Sequence, residues 1–170
     1  MSRLSVPAII SFCHEPWRDE FNGWAISKDT IYNILFVIPH FDGHPPLWYM
    51  ILKCFSSLNF NPEIGIKIPN LILMFLSAFL LIFKSPFPKP FKLLLPFTYF
   101  IFYQYSIINR PYCIFTLAIF LSAYLYKERN IHPYKYIFAL ILLGLSSAYG
   151  VALSFGIILV WIIEKIKEKK

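Results

Sequence analysis

The sequence predicts an all-α protein: a polytopic transmembrane helical bundle of about six hydrophobic segments, with interfacial amphipathic helices in its first extracytoplasmic loop. Three observations predict it. The 170 residues are 58% hydrophobic and only 15% charged, where a soluble domain carries about 25% charged residues. Several apolar runs approach or exceed the roughly 18 residues that cross a bilayer. The basic residues gather in short gaps between those runs.

The net charge is +7. Lys84, Lys89 and Lys92 form one basic cluster, Lys127, Arg129 and Lys135 a second, and Lys165, Lys167, Lys169 and Lys170 close the chain. Clusters of this kind mark cytoplasmic loops and contact with anionic lipid. A nucleic-acid partner is excluded, because it calls for a basic face on a soluble module. Cys13, Cys54 and Cys113 are far apart and show neither metal spacing nor a disulfide framework.

The chain divides as one membrane domain over residues 1–170. Residues 1–13 read as a partial first helix, since the apolar run Leu4 to Phe12 is too short to span. Residues 14–44 form an extracytoplasmic loop. Within it, Phe21, Trp24 and Ala25 fall at helical spacing, as do Ile31, Ile34, Leu35 and Ile38 after a polar break at Ser27–Thr30. These predict two short interfacial helices, the second capped by Asp29 or Thr30. Residues 45–163 carry the transmembrane segments: 45–60, 64–83, 93–108, 111–126, and a stretch 134–163 that is either two segments joined near Tyr149-Gly150 or one bent helix. The proline-rich connector 85–90 ends a helix before it. Residues 164–170 form a basic cytoplasmic tail. With the 14–44 loop outside, simple alternation carries Lys84–Lys92 outside too, against the positive-inside rule. One of the segments 45–60 and 64–83 is therefore expected not to cross fully.

The polar loop concentrates the chemistry. It holds five of the nine acidic residues and three of the four histidines. In His14-Glu15-Pro16-Trp17-Arg18-Asp19-Glu20, one of the adjacent carboxylates can face a cleft while the other caps a helix or pairs with Arg18. A partly desolvated carboxylate suits a general base or a divalent-cation ligand; a solvated, helix-capping turn is the plainer alternative. In Phe41-Asp42-Gly43-His44-Pro45-Pro46-Leu47, Gly43 permits a sharp turn and the prolines open a helix. His44 then stands at the membrane edge, where it could contact a phosphate or shuttle a proton. His40 and His44 have the spacing of a helical metal pair, but Pro39, Gly43 and Pro45 argue against a continuous helix there. In Asn109-Arg110-Pro111-Tyr112, an arginine at the edge of a span either snorkels to headgroups or binds a phosphate with its planar fork.

These three elements, in this order, resemble the GT-C superfamily of membrane glycosyltransferases, which includes protein O-mannosyltransferases and aminoarabinose transferases. The family has an Asp-Glu pair early in its first large loop, matched by Asp19-Glu20. A Phe-Asp-x-His-Pro-Pro-Leu stretch follows, matched by residues 41–47, and then an arginine near a helix end, matched more loosely by Arg110-Pro111-Tyr112. The resemblance covers residues 14 to about 130. It implies transfer of a sugar from a polyprenyl-phosphate donor to an acceptor at the extracytoplasmic face. Asp19 would be the catalytic carboxylate and Glu20 secondary, while His44, Arg110 and Arg18 would contact the carrier phosphate. A divalent cation is a possible cofactor. The expected partners are membrane lipids, the polyprenyl-phosphate sugar and an acceptor, in a multi-pass protein of the cell membrane. Such enzymes are two to three times longer, so the chain is expected to be truncated relative to them. The alternatives are a non-enzymatic transporter or assembly partner, or an inactive fragment.

Overall fold

The computed structural model describes residues 2–168, with side chains from Val6 onward. Lys169 and Lys170 of the basic tail lie outside the described residues. All regular elements among the described residues are helical, as the composition predicts.

The first two helices are joined through buried polar groups. Helix α1 (Ser2–Cys13) leaves terminal carbonyls without intrahelical partners. The ammonium of the buried Lys67 donates to two carbonyls there, Phe12 at 3.4 Å and His14 at 2.8 Å, the sign of charge that a helix C-terminus favours. Helix α2 (Arg18–Ser27) opens with Asp19 and Glu20 in its first turn. Glu20 reaches back to accept the Trp17 amide at 2.7 Å, the return half of a capping box.

After Ser27 the chain turns and re-enters a helix. Thr30 Oγ1 accepts the Asn33 amide at 3.2 Å, and Asp29 Oδ1 accepts the Thr30 amide at 2.6 Å and the Asn33 side chain at 2.8 Å. Both expected capping residues therefore act together. These bonds, the Thr30 amide first, hold the Asp29 carboxyl below its ordinary range. A π-helical turn (Asn33–Val37) leads into α3 (Ile38–Asp42), so His40 lies on a helix that stops before His44. Gly43 ends it with φ of +70°, the left-handed conformation that glycine enters without steric cost, and its amide bonds the Pro39 carbonyl.

Helix α4 (Leu47–Ser56) follows the Pro45-Pro46 pair and buries Trp48, Tyr49 and Leu52 in the core that also takes in Trp24 of α2. Its 10 residues rise about 15 Å, half a bilayer core. The expected 45–60 segment is thus corrected to a short helix packed along α2. Asn61 caps α5 (Pro62–Phe79), which continues as a π turn (Leu80–Lys84). Ser85 leaves it in extended conformation at the proline-rich connector.

The return path is broken. It consists of α6 (Lys89–Leu94), a 3-10 turn (Leu95–Phe97) and a π turn (Phe100–Gln104), interrupted where Pro96 withholds its amide. This replaces the expected single segment 93–108. Helix α7 (Tyr112–Leu125), a 3-10 turn (Tyr126–Glu128), α8 (Pro133–Gly144) and α9 (Ala148–Glu168) complete the chain. The 134–163 stretch does divide, but at 145–147 rather than at Tyr149-Gly150. Ser147 is the reason: its hydroxyl accepts the Gly150 amide at 3.1 Å and so starts α9.

Among the described residues, two helices, Pro62–Lys84 and Ala148–Glu168, are long and apolar enough to cross a membrane, where about six segments are expected from the sequence. The others are shortened by proline or by turns.

The helices define two ends. At one, Trp24 of α2 lies over Gly65 near the start of α5, and Gly43, His44, Arg110 and Ala148 line one small cavity. At the other, Lys84 Nζ stands 5.8 Å from the Tyr124 ring centroid, Arg129 bonds Glu164 at 2.8 Å, and Trp161 donates to Asn130 at 3.0 Å. The acidic loop and the basic clusters occupy opposite ends.

Trp24 is 3% exposed, and its ring would lie 2.3 Å from a Cβ placed on Gly65. Gly65→Ala should therefore cost about 1–3 kcal/mol by overpacking, read as a lower midpoint of thermal unfolding in detergent. The lowered Asp29 carboxyl stabilises the fold fully above its ordinary value of 3.8. That contribution is lost as pH falls through the folded-state value. Asp29→Ala should then show a shallower loss of thermal stability below about pH 4 than the native chain.

Candidate active site

The site is built on a buried carboxylate. Glu20 is 1% exposed. Its Oε2 accepts the Trp17 amide at 2.7 Å and meets His14 Nε2 at 3.0 Å. Its Oε1 accepts both the Asn109 backbone amide and the Asn109 side-chain amide, each at 2.7 Å. A carboxylate this deep stays stable because donors reach both oxygens. Segment 109–111 is thereby held against the start of α2.

Asp19 precedes Glu20 by one residue, and successive helical side chains diverge by about 100°. It faces outward and forms an ion pair with Arg110, Nη1 to Oδ2 2.5 Å, across 91 residues of sequence. Asp19 is 65% and Arg110 26% exposed at the side chain, so the pair adds little to stability and its groups remain reachable.

Across from this pair lies the turn after α3. His44 Nδ1 stands 3.0 Å from both the Asp42 carbonyl and Asp42 Oδ2, and the Tyr49 hydroxyl donates to the same carboxylate oxygen. Asp19, Asn22, Asp42, His44, Asn109 and Arg110 line one polar cavity of about 150 Å³, with Trp48 and Tyr49 as its wall. Asn109 Oδ1 is buried without a hydrogen-bond partner.

Of the five residues singled out by sequence, Asp19, His44 and Arg110 line this cavity. Glu20 does not; its carboxylate is occupied by the loop contacts that position its neighbour. Arg18 is exposed and lies outside the cavity lining. His40 is exposed on α3 and is likewise outside it. Among the described residues, no group of three or more His, Cys, Asp or Glu side chains is placed to hold a metal. The cavity's two carboxylates have side-chain partners, Asp19 with Arg110 and Asp42 with Tyr49 and His44.

Asp42, Tyr49 and Asn109 were not assigned site roles from sequence. Asp42 and Asn109 sit inside the recognised motifs, and a role for them needed the turn geometry. Tyr49 could have been suspected as a polar group on the stripe that also carries Leu52. Comparison with protein-family models, curated proteins and solved structures finds no match to this chain.

Adjacent carboxylates should thus respond differently to mutation. Glu20→Gln sets an amide against the donors of Trp17 or Asn109 and should cost about 3 kcal/mol or more. Asp19→Asn removes only an exposed pair and should cost less than about 1 kcal/mol. Thermal unfolding of both variants in detergent measures the contrast.

Proposed function

We propose that this chain is a multi-pass membrane protein of the cell membrane that transfers a sugar from a polyprenyl-phosphate donor to an acceptor at the extracytoplasmic face. The observation that carries this reading is the convergence of Asp19, His44 and Arg110, from three separate motifs, on one polar cavity.

The chemistry suits the reaction. The leaving group is a phosphate, so cationic donors beside it stabilise the transition state. Arg110 spends one nitrogen on Asp19, and the rest of its fork is available to a phosphate oxygen. Asp19 is the catalytic carboxylate that orients the acceptor. Glu20 supports both by holding Asn109, next in sequence to Arg110.

The surroundings suit a lipid-linked donor. An apolar cavity of about 330 Å³ lies between α1, α5 and the return segment, lined among others by Pro7, Met74, Phe75, Phe97 and Phe102. Only 11% of the apolar window of α9 is buried, and Val151, Phe155 and Val160 face outward. Such a surface is stable in lipid and costly in water. With the basic end cytoplasmic and α4 not crossing, α5 runs from the outer face to Lys84, and the positive-inside rule is satisfied. Transporters typically bind substrate near mid-membrane, whereas these polar groups gather at one end of the bundle, which favours the enzyme.

The test is transfer in proteoliposomes containing the purified chain, radiolabelled polyprenyl-phosphate sugars and a crude acceptor extract. The native chain should transfer label, while Asp19→Asn and Arg110→Ala should each fall by about 10²-fold or more. Absence of transfer by the native chain across the common sugars would refute the reading.

A further inference from the structure

We propose that His44 is the proton acceptor of the site, presenting a fixed lone pair on Nε2, and that Asp42 and Tyr49 are the positioning residues that hold it so. The proposal rests on the glycosyltransferase reading for its role in turnover, but the arrangement itself stands on the geometry.

Both groups at Nδ1 are acceptors: the Asp42 carbonyl and Asp42 Oδ2, each at 3.0 Å. An unprotonated Nδ1 would face two oxygens with no hydrogen between them. The ring proton therefore sits on Nδ1, and in the neutral ring Nε2 carries the lone pair. The Tyr49 hydroxyl donates to Oδ2 as well, a second bond that holds this oxygen in place. Gly43, in its left-handed turn, brings the residue 42 carbonyl and the residue 44 ring together. No hydrogen bond within the described residues engages Nε2, and His44 lines both the polar cavity and the smaller one beside it. The other charged and titratable groups lining those two cavities are Asp19, Arg110, Tyr112 and Tyr149.

Asp19 is held by Arg110, whereas Nε2 of His44 has no hydrogen-bond partner among the described residues, and Asp42 stands at the other ring nitrogen. In the transfer step the acceptor oxygen or nitrogen forms a bond to the anomeric carbon. The bond from that carbon to the phosphate oxygen breaks, and its electron pair leaves with the polyprenyl phosphate. The acceptor proton passes to His44 Nε2, giving an imidazolium paired with Asp42, which then releases the proton to solvent. Between contacting a phosphate and shuttling a proton, the fixed lone pair favours the second. A lone pair on Nε2 repels a phosphate oxygen and accepts a proton.

The experiment is long-range nitrogen–proton NMR on ¹⁵N-histidine-labelled full chain in detergent micelles, with His44 assigned from His44→Gln. The expected pattern in the neutral ring is a protonated Nδ1 and an unprotonated Nε2, with Asp42→Ala shifting it toward the opposite form. A protonated Nε2 in the native chain would overturn the proposal. In the proteoliposome assay with polyprenyl-phosphate sugar, His44→Gln should lower transfer about 10²-fold or more with unfolding temperature retained, and Tyr49→Phe should lower kcat without raising KM. Transfer by His44→Gln within threefold of native would equally overturn it. The expected nitrogen pattern together with no transfer by the native chain would remove the glycosyltransferase reading and leave the His44 arrangement standing.

Discussion

The polar end of this protein depends on the buried carboxylate of Glu20. Through it the loop at His14 and Trp17, the start of α2, and Asn109 meet at one point. A carboxylate at that depth persists only with donors on both oxygens, which is why segments so distant in sequence are drawn together. Its effect is felt one residue away on each side of the contact. Asp19 precedes it and Arg110 follows Asn109, so the ion pair between them is the outward face of an inward constraint. The charge that stabilises the arrangement and the charges available to a ligand are neighbours with separate tasks.

Short helices surround that point because prolines and a glycine interrupt the apolar runs. The Gly43 turn and the Pro45-Pro46 pair restart the chain as α4 beside α2, too short to cross a bilayer. In the proposed orientation, this short helix reconciles simple alternation with the placement of the lysines. With α4 kept at the acidic end, α5 carries the chain to Lys84, and the remaining basic clusters follow to the same end. The separation of acidic chemistry from basic ends is built by helix length as much as by charge.

The cavity is a place where few groups have spare capacity. Asp42 is consumed by Tyr49 and His44, and Asp19 by Arg110. What remains open is the rest of the Arg110 fork and Nε2 of His44, while the unpartnered oxygen of Asn109 is buried. The proposed function draws on that guanidinium and that ring nitrogen facing one polar cavity of about 150 Å³.

The helical class, the helices at 18–27 and 31–42, and Asp19, His44 and Arg110 as candidate residues were legible from composition, period and motif. These are local properties: apolar spacing, capping residues and turn chemistry act within a few residues of themselves. The division of Asp19 from Glu20 was not legible, because two adjacent carboxylates are equivalent until a distant Asn109 claims one. Nor were the length of α4, the break at 145–147 and the tautomer of His44. The partner of Glu20 is identified only when segments about 90 residues apart come into contact; the break and the His44 ring are set by short-range bonds, Gly150 to Ser147 and His44 to Asp42, that compete with other local geometries. The sequence by itself determined the helical class and which segments carry the polar residues; tertiary structure decided which of those residues are spent on holding the cavity together and which face into it.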